Sequence, residues 1–395
     1  MQTTKSKVKR NVILPLSIML ASLIGYTVLE VNAKAKFDKP TGPYAVSTKG
    51  YEWTDETRID PETNHPRRLL VHAWYPTDHI GGKKMPYHPN PDELATTLSE
   101  LYGIPTFLIN KLAKSSVHSF ENAPLSAQKA SFPVLIFSHG WNGTRFQSTY
   151  QMQELASYGY VIFSVEHSFS AAGTLFSDGS KGGIIAFEDI HKDSINERWL
   201  QVWSADQIFA LNQIERLNRE DMTFKNGLNL SKVGVFGHSF GGNAAANTLV
   251  LDRRFKAGVN LDGYYFGKQP GSQFVQPFLE IRAPWLGLDD MSDEQLQKSY
   301  MMNRQEIDEL LANWDIRIKE YASNGYTKVE MPGANHMSFS DFTLMFPFKW
   351  LLAPKAKDHH RLTNKVVKAF FDHHLLSKAL DFPKCEQLVY TDVIP

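Results

Sequence analysis

Between residues 133 and 281 the chain alternates short apolar runs with longer stretches of helical spacing, and few folds accept that alternation. The runs are Pro133–Ser138, Tyr160–Val165, Lys232–Gly237, Ala257–Asp262 and Phe278–Ile281. Each is too short for a helix and nearly continuously apolar, the character of a strand buried on both faces. Tyr150–Tyr158, Glu197–Leu217 and Phe240–Leu251 carry helical spacing between them, and Gly159 supplies a helix stop. Strands joined through helices pair in parallel, with the helices packed over the sheet. The expected class is α/β: a mostly parallel central sheet with helices on both faces.

The flanks carry weaker signals. Arg68–Pro76 alternates loosely and stops at a proline, which predicts a strand near a sheet edge. Residues 36–68 hold the turn formers Pro40, Gly42, Pro43, Pro61 and Pro66 among short extended stretches. Residues 91–116 are helical in spacing, with Leu94, Leu98, Leu101, Phe107, Leu108 and Leu112 as apolar positions and a break at Pro105. Residues 293–323 read as one or two polar helices before a strand at Lys328–Met331, and residues 361–377 as a closing helix. No linker or repeat divides the chain. One domain is expected over residues 36–395, with helical insertions at about 91–116 and 293–323.

Residues 1–35 read as a secretory signal peptide: a basic start at Lys5, Lys7, Lys9 and Arg10, an apolar run from Val12 to about Leu29, then Ala33-Lys34-Ala35. An uncleaved anchor is the rival, since the run is almost long enough to span a bilayer. Pro15 and the small-residue end favour cleavage. Basic and acidic side chains balance at 42 each, and loss of residues 1–35 would leave a net charge of −4. Neither value supports a nucleic-acid partner. Cys385 is the single cysteine, which excludes an intramolecular disulfide, a cysteine-based zinc site and a cysteine-pair redox role.

Gly237-His238-Ser239-Phe240-Gly241 is G-x-S-x-G, a short pattern whose context gives it meaning. An apolar strand runs into it and a helix runs out, the setting of a nucleophile elbow and of the α/β-hydrolase fold. The turn strains the serine and tolerates only small flanking residues, a need that Gly237 and Gly241 meet. The helix beginning at Phe240 aims its free N–H groups at the site. No Walker lysine follows, and the motif is not G-x-G-x-x-G, so a phosphate-binding turn is the poorer reading. A serine hydroxyl needs a base within reach and an acid to orient that base. In this fold the acid follows the serine along the chain and the histidine comes last.

Several stretches then resemble the platelet-activating factor acetylhydrolases of the plasma and intracellular type II kind. They are FPVLIFSHGW (132–141), LASYGYVIFSVEHSFSA (155–171), VGVFGHSFGG (233–242), RFKAGVNLDGY (254–264) and GANHMSFSDFTL (333–344), within a similarity from about 40 to 376. The resemblance implies a calcium-independent esterase that removes short or oxidised acyl chains from phospholipids, with generalist esterases among bacterial relatives. It implies Ser239 as nucleophile, Asp262 as acid and His336 as base. It also implies Trp141 as the second oxyanion donor beside Phe240, and contact of the 91–116 region with lipid surfaces. The helical segment 293–323 departs from the family and bears on substrate preference more than on the triad.

The residues themselves can be weighed against rivals. Asp262 ends an apolar strand, at the carboxyl edge where ligands bind in open α/β sheets. Asp289 and Asp290 are its rivals, because many hydrolases of this fold carry the acid one strand later; they lie far beyond Ile281. His336 sits in a loop after the last clear strand, placed to meet Ser239. His238 occupies the variable position of the elbow and His139 follows a strand, so neither is expected to be the base. The pairs His359-His360 and His373-His374 lack a carboxylate or cysteine pattern and read as solvated helix residues, not metal ligands. The sequons Asn142-Gly143-Thr144 and Asn229-Leu230-Ser231 read as incidental. Leu101, Tyr102, Ile104, Phe107, Leu108 and Leu112 form either an interfacial patch or a cap on the core; no basic face accompanies them, which favours the cap.

The expected function is therefore an exported serine ester hydrolase, secreted or periplasmic, with short-acyl preference, without metal or organic cofactor, acting on a small ester or phospholipid. The alternatives are a polyester hydrolase, a generalist carboxylesterase, an acyltransferase, or a dead hydrolase kept as a binding module.

Overall fold

A computed structural model describes residues 33–184, 193–267, 271–284, 291–300, 302–345, 354–386 and 388–393. The signal-peptide region through residue 32 lies outside the described residues, as do Asp289 and Asp290. In chain order the strands and helices begin with β1 (Ala45–Ile59), β2 (Pro66–Thr77), β3 (Lys84–Pro86), α1 (Pro91–Tyr102), α2 (Thr106–Ala113) and β4 (Ser116–Glu121). The centre follows as β5 (Phe132–Ser138), α3 (Thr149–Ser157), β6 (Val161–Glu166), α4 (Asp193–Glu220), β7 (Leu228–His238), α5 (Phe240–Leu251) and β8 (Phe255–Leu261). The chain closes with β9 (Phe278–Arg282), α6 (Asp293–Tyr300), α7 (Arg304–Tyr321), β10 (Tyr326–Glu330), α8 (Ala356–Leu376) and β11 (Val389–Val393).

One sheet joins them in the order β11-β10-β9-β8-β7-β5-β6-β2-β1-β4-β3. The six strands from β10 to β6 are parallel, as the apolar runs require. β5 pairs with β6 on one side and with β7 on the other, so the chain reverses its direction of travel across the sheet there. That reversal opens a crevice at the carboxyl ends of β5 and β7, where open α/β sheets place their ligands. Both faces are filled. Val134 and Ile136 of β5 pack with Val235 and, from α4, Leu211 and Ile214. Leu135 and Phe137 pack on the opposite face with Phe236 and, from α8, Phe370 and Phe371. The period-two alternation of a strand is thus hidden in these sequences because both sides are apolar.

β2 is not near an edge. It lies between β6 and β1, antiparallel to both, and two further strands lie beyond β1. The proline that suggested an edge is tolerated because β6 pairs only with Leu70–Trp74 and does not reach Pro76. The covering strand β1 escaped the sequence reading because its outer half, Thr54–Ile59, is mostly charged or polar. The break at Pro105 is as expected: α1 ends at Gly103 in the left-handed region (φ 64°), and Pro105 caps α2. The insertion at 293–323 forms α6 and α7, and α7 buries Ile307, Leu310, Trp314 and Ile318.

Charge is buried beside the crevice. Arg67 of β2 pairs with Asp60 and, at 2.7 Å, with Asp206 of α4, and all three side chains are enclosed. Removing one partner of such a cluster typically destabilises by about 3–5 kcal/mol, since the others stay desolvated and uncompensated. Arg67→Met is expected to lower unfolding stability by that order in a urea titration; a midpoint unchanged from the parent would show that the cluster is solvated in solution.

Candidate active site

Ser239 stands between β7 and α5 with φ 55° and ψ −126°, in a region that non-glycine residues avoid. The surroundings hold it there. Its N–H donates to the Leu261 carbonyl at 2.9 Å. A Cβ on Gly237 would meet the Gly241 main chain at 2.3 Å, and one on Gly241 would meet the carbonyl oxygens of Ser138 and His139 at 2.4 Å. The two glycines of the motif are therefore needed for close backbone approach, and the elbow packs directly on the loop after β5.

Asp262 follows β8 and is buried, with φ 55°. Its Oδ1 accepts the Ala283 N–H at 2.8 Å, and its Oδ2 lies 2.8 Å from Nδ1 of His336. His336 opens a short 3₁₀ turn, His336–Phe339, capped by Asn335, whose side chain accepts the Met337 N–H. The imidazole edge is partly open to solvent, while the carboxylate is sealed. A sealed carboxylate on Nδ1 keeps that nitrogen protonated and leaves Nε2 as the basic atom. Among the described residues no hydrogen bond yet joins Ser239 Oγ to the imidazole, a link that often tightens only with substrate bound.

His238 is a strut and not a base. It is buried, and burial pushes its pKa well down. Its Nε2–H donates to the His336 carbonyl at 2.9 Å, while its Nδ1 accepts from the Gln147 amide at 2.8 Å. The Gln147 Oε1 in turn accepts the Gly140 N–H at 3.2 Å. One side chain thus ties the His336 backbone to the loop after β5, a role no local pattern announces. His139 is buried too, with Nδ1 2.6 Å from the Gly140 carbonyl and Nε2 accepting the His167 N–H.

The two oxyanion candidates lie beside the nucleophile. A Cβ on Gly140 would lie 3.2 Å from Cβ of Ser239, so the turn into Trp141 sits against the serine. Phe240 is the first residue of α5, where N–H groups have no helical partner. Neither N–H, of Trp141 or of Phe240, has a hydrogen-bond partner among the described residues. Their rings meet edge to face at 5.2 Å within a cluster that includes Trp199 and Trp203.

The remaining candidates divide. Asn142 is buried, which leaves a glycan no room. His359 and His360 are not the solvated residues expected from the sequence: both are buried in α8, with His360 stacked on Tyr150 and 3.1 Å from the Thr343 hydroxyl. The apolar face of α8 continues through them, and the polarity of histidine hid it. His373 and His374 are half-buried on the last turn of α8. Among the described residues no group of three or more His, Cys, Asp or Glu is placed to hold a metal. Of the 91–116 residues, Leu112 is core while Tyr102 and Phe107 are exposed. Among the described residues no helix is long and apolar enough to cross a membrane.

Comparison with known proteins bears on family and fold. The family model described as platelet-activating factor acetylhydrolase, isoform II, matches residues 29–381. A probable 1-alkyl-2-acetylglycerophosphocholine esterase of Arthroderma benhamiae is 26% identical over 321 residues, 77% of this chain and 76% of the relative. A platelet-activating factor acetylhydrolase of Cavia porcellus is 30% identical over 279 residues, 62% of this chain and 60% of that one. The solved structure of a ferulic acid esterase from Streptomyces cinnamoneus superposes with a TM-score of 0.71 at 23% identity, over 91% of this chain and 99% of the esterase, which is likeness of fold.

Proposed function

Because the chain belongs to the platelet-activating factor acetylhydrolase isoform II family, we propose that it cleaves short-acyl carboxylic esters through an acyl-enzyme on Ser239. Carboxylic ester hydrolysis is the chemistry of the family; the acyl preference and the residue roles are our reading. The observation that carries it is the 2.8 Å bond between sealed Asp262 and His336 at the mouth of the crevice that also holds the strained Ser239.

In the first half-reaction His336 Nε2 takes the proton of Ser239 as Oγ attacks the ester carbonyl. The carbonyl oxygen becomes an anion held by the N–H groups of Trp141 and Phe240; donors fixed before charge develops cost no reorganisation at the moment of reaction. His336 then gives the proton to the leaving alcohol. Water, activated by the same imidazole, releases the acid in the second half-reaction. Asp262 stabilises the imidazolium and fixes its tautomer throughout.

The short-acyl reading rests on the aromatic cluster. Trp141 and Phe240 contribute rings as well as N–H groups, and Trp199 and Trp203 fill the space behind them. In our reading these rings wall the acyl site, where each surplus methylene would have to displace packed atoms. The substrate class is a small ester or a phospholipid with a short acyl chain, and exposed Tyr102 and Phe107 are suited to touch a lipid surface. Export follows from the basic and apolar character of residues 1–35, and N-terminal sequencing of the purified enzyme tests it: a chain still starting at Met1 would refute cleavage.

A series of p-nitrophenyl esters from acetyl to dodecanoyl tests the preference. The expected kcat/KM is highest at acetyl or butyryl and falls roughly tenfold or more by dodecanoyl. A maximum at the long chains would overturn the short-acyl reading and leave a lipase-like pocket.

A further inference from the structure

A second Ser-His-Asp array lies behind the first. Ser138 ends β5, His167 directly follows β6, and Asp206 lies on α4. Ser138 Oγ is 2.8 Å from Nε2 of His167, and Nδ1 of His167 is 2.9 Å from Oδ2 of Asp206. The bond order is that of a hydrolase triad, yet all three residues have no exposed surface, so no substrate can reach them. Its purpose must lie in what it holds.

The hydrogen bonds run one way. The Thr248 hydroxyl donates to Oε1 of Gln207, and the Gln207 side-chain amide N–H donates to Ser138 Oγ at 2.7 Å. The Ser138 hydroxyl is then left to donate to His167 Nε2, which requires a neutral His167 with its proton on Nδ1, facing Asp206. Burial, opposed by Asp206 and assisted by Arg67 and Arg58, moves the His167 pKa down to about 4. Burial alone would raise the Asp206 carboxyl, but Arg67 and Arg58 outweigh it and keep the carboxyl below its usual range. The array is therefore fixed in one protonation state across neutral pH.

It reaches the oxyanion loop by two routes. Ser138 and the His139 ring bracket His167, through Ser138 Oγ and through His139 Nε2, which accepts the His167 N–H. The His167 ring also stacks on Trp203 at 3.9 Å and 11°, and Trp203 lies parallel to Trp141 at 6.0 Å and 8°. Trp203 is itself pinned by its indole N–H donating to Ser170 Oγ at 2.8 Å.

We propose that His167, held by Ser138 and Asp206, is a positioning residue that sets the Trp141 N–H for the oxyanion. The inference rests on the Ser239 and Trp141 roles proposed above. His167 touches no substrate; it acts through the main chain of residues 138–141 and the stack Trp141–Trp203–His167.

The test compares Ser138→Ala and His167→Gln with the parent enzyme on p-nitrophenyl acetate and on a matched ester and thionoester pair. Ser138→Ala removes one hydroxyl and no packed carbon. Loss of an oxyanion donor costs about 10²–10³ in kcat, so a donor kept but misaligned is expected to cost roughly tenfold. The KM should stay within about twofold, as for an interaction made only in the transition state. Sulfur accepts hydrogen bonds poorly, so thionoester turnover should hardly change and the ester-to-thionoester ratio should fall with kcat. An unchanged kcat, or both rates falling together, overturns the positioning role. If His167→Gln does not fold, the two rates of Ser138→Ala decide alone. A Ser239→Ala enzyme that stays active would instead remove the nucleophile and the parent reading, an outcome distinct from normal rates in Ser138→Ala.

Discussion

Ser239→Ala is expected to lower kcat on p-nitrophenyl acetate by a factor on the order of 10⁶, and Asp262→Asn by about 10⁴. The first number follows from removing the atom that forms the acyl bond; what remains is substrate binding and the two main-chain donors. The second follows from the tautomer. Asp262 Oδ2 faces Nδ1 of His336, while its Oδ1 is occupied by the Ala283 N–H. An asparagine that keeps the second bond can turn its amide NH₂ toward His336, which then carries its proton on Nε2 and cannot accept from Ser239. Packing is untouched, because the two side chains have the same shape, so the fold should survive and the defect should appear in kcat. Asp289→Asn and Asp290→Asn should leave kcat within about twofold. A Ser239→Ala enzyme with parental turnover ends the mechanism. A large loss in Asp289→Asn or Asp290→Asn together with a mild one in Asp262→Asn would move the acid one strand later.

The parts of this site that were legible in the sequence share one property: their signal is local. The elbow is five consecutive residues between a strand and a helix, and the parallel centre of the sheet is a run of apolar segments whose lengths exclude helices. Asp262 and His336 lie 74 positions apart, so only chain order and resemblance connected them before the structure placed them at 2.8 Å. What the sequence hid is built from contacts that no local period records. His238 bridges Gln147 and His336, which are separated from it by 91 and 98 positions. Ser138, His167 and Asp206 meet because the carboxyl ends of adjacent β5 and β6 face α4; alone, the first two read as unremarked polar groups at strand ends and the third as a polar residue within a helix. The usable signal was polarity at the end of an otherwise apolar strand, and it occurs at both Ser138 and Glu166-His167. The antiparallel flank failed for the opposite reason. β1 is long but its outer half is mostly charged or polar, so hydrophobic patterning undercounted it, and β2 was misplaced as a consequence.

The coupling between elbow and oxyanion loop makes Gly241 a sensitive glycine for function. A Cβ there would lie 2.4 Å from the carbonyl oxygens of both Ser138 and His139, and those atoms are backbone, which cannot rotate away. Helix propensity argues the other way, since alanine is worth about 1 kcal/mol over glycine in a helix interior. Steric overlap wins, because overpacking of this kind typically costs about 1–3 kcal/mol and the relief must come from moving main chain. The main chain that moves carries Gly140 and the Trp141 N–H. Gly241→Ala is therefore expected to lose about 10²-fold or more in kcat, the scale of a lost oxyanion donor, together with a lower urea midpoint. Gly242→Ala differs in kind. Its Cβ would overlap Oδ1 of Asn260, a side chain that can shift, although Asn260 also accepts the Gly263 N–H beside Asp262. A Cβ on Gly271 meets nothing within 4 Å, so Gly271→Ala should be silent in both assays. Parental kcat in Gly241→Ala would mean that the elbow and the loop after β5 part easily, and the close approach that links nucleophile, oxyanion donors and the buried array behind them would not be a constraint on catalysis.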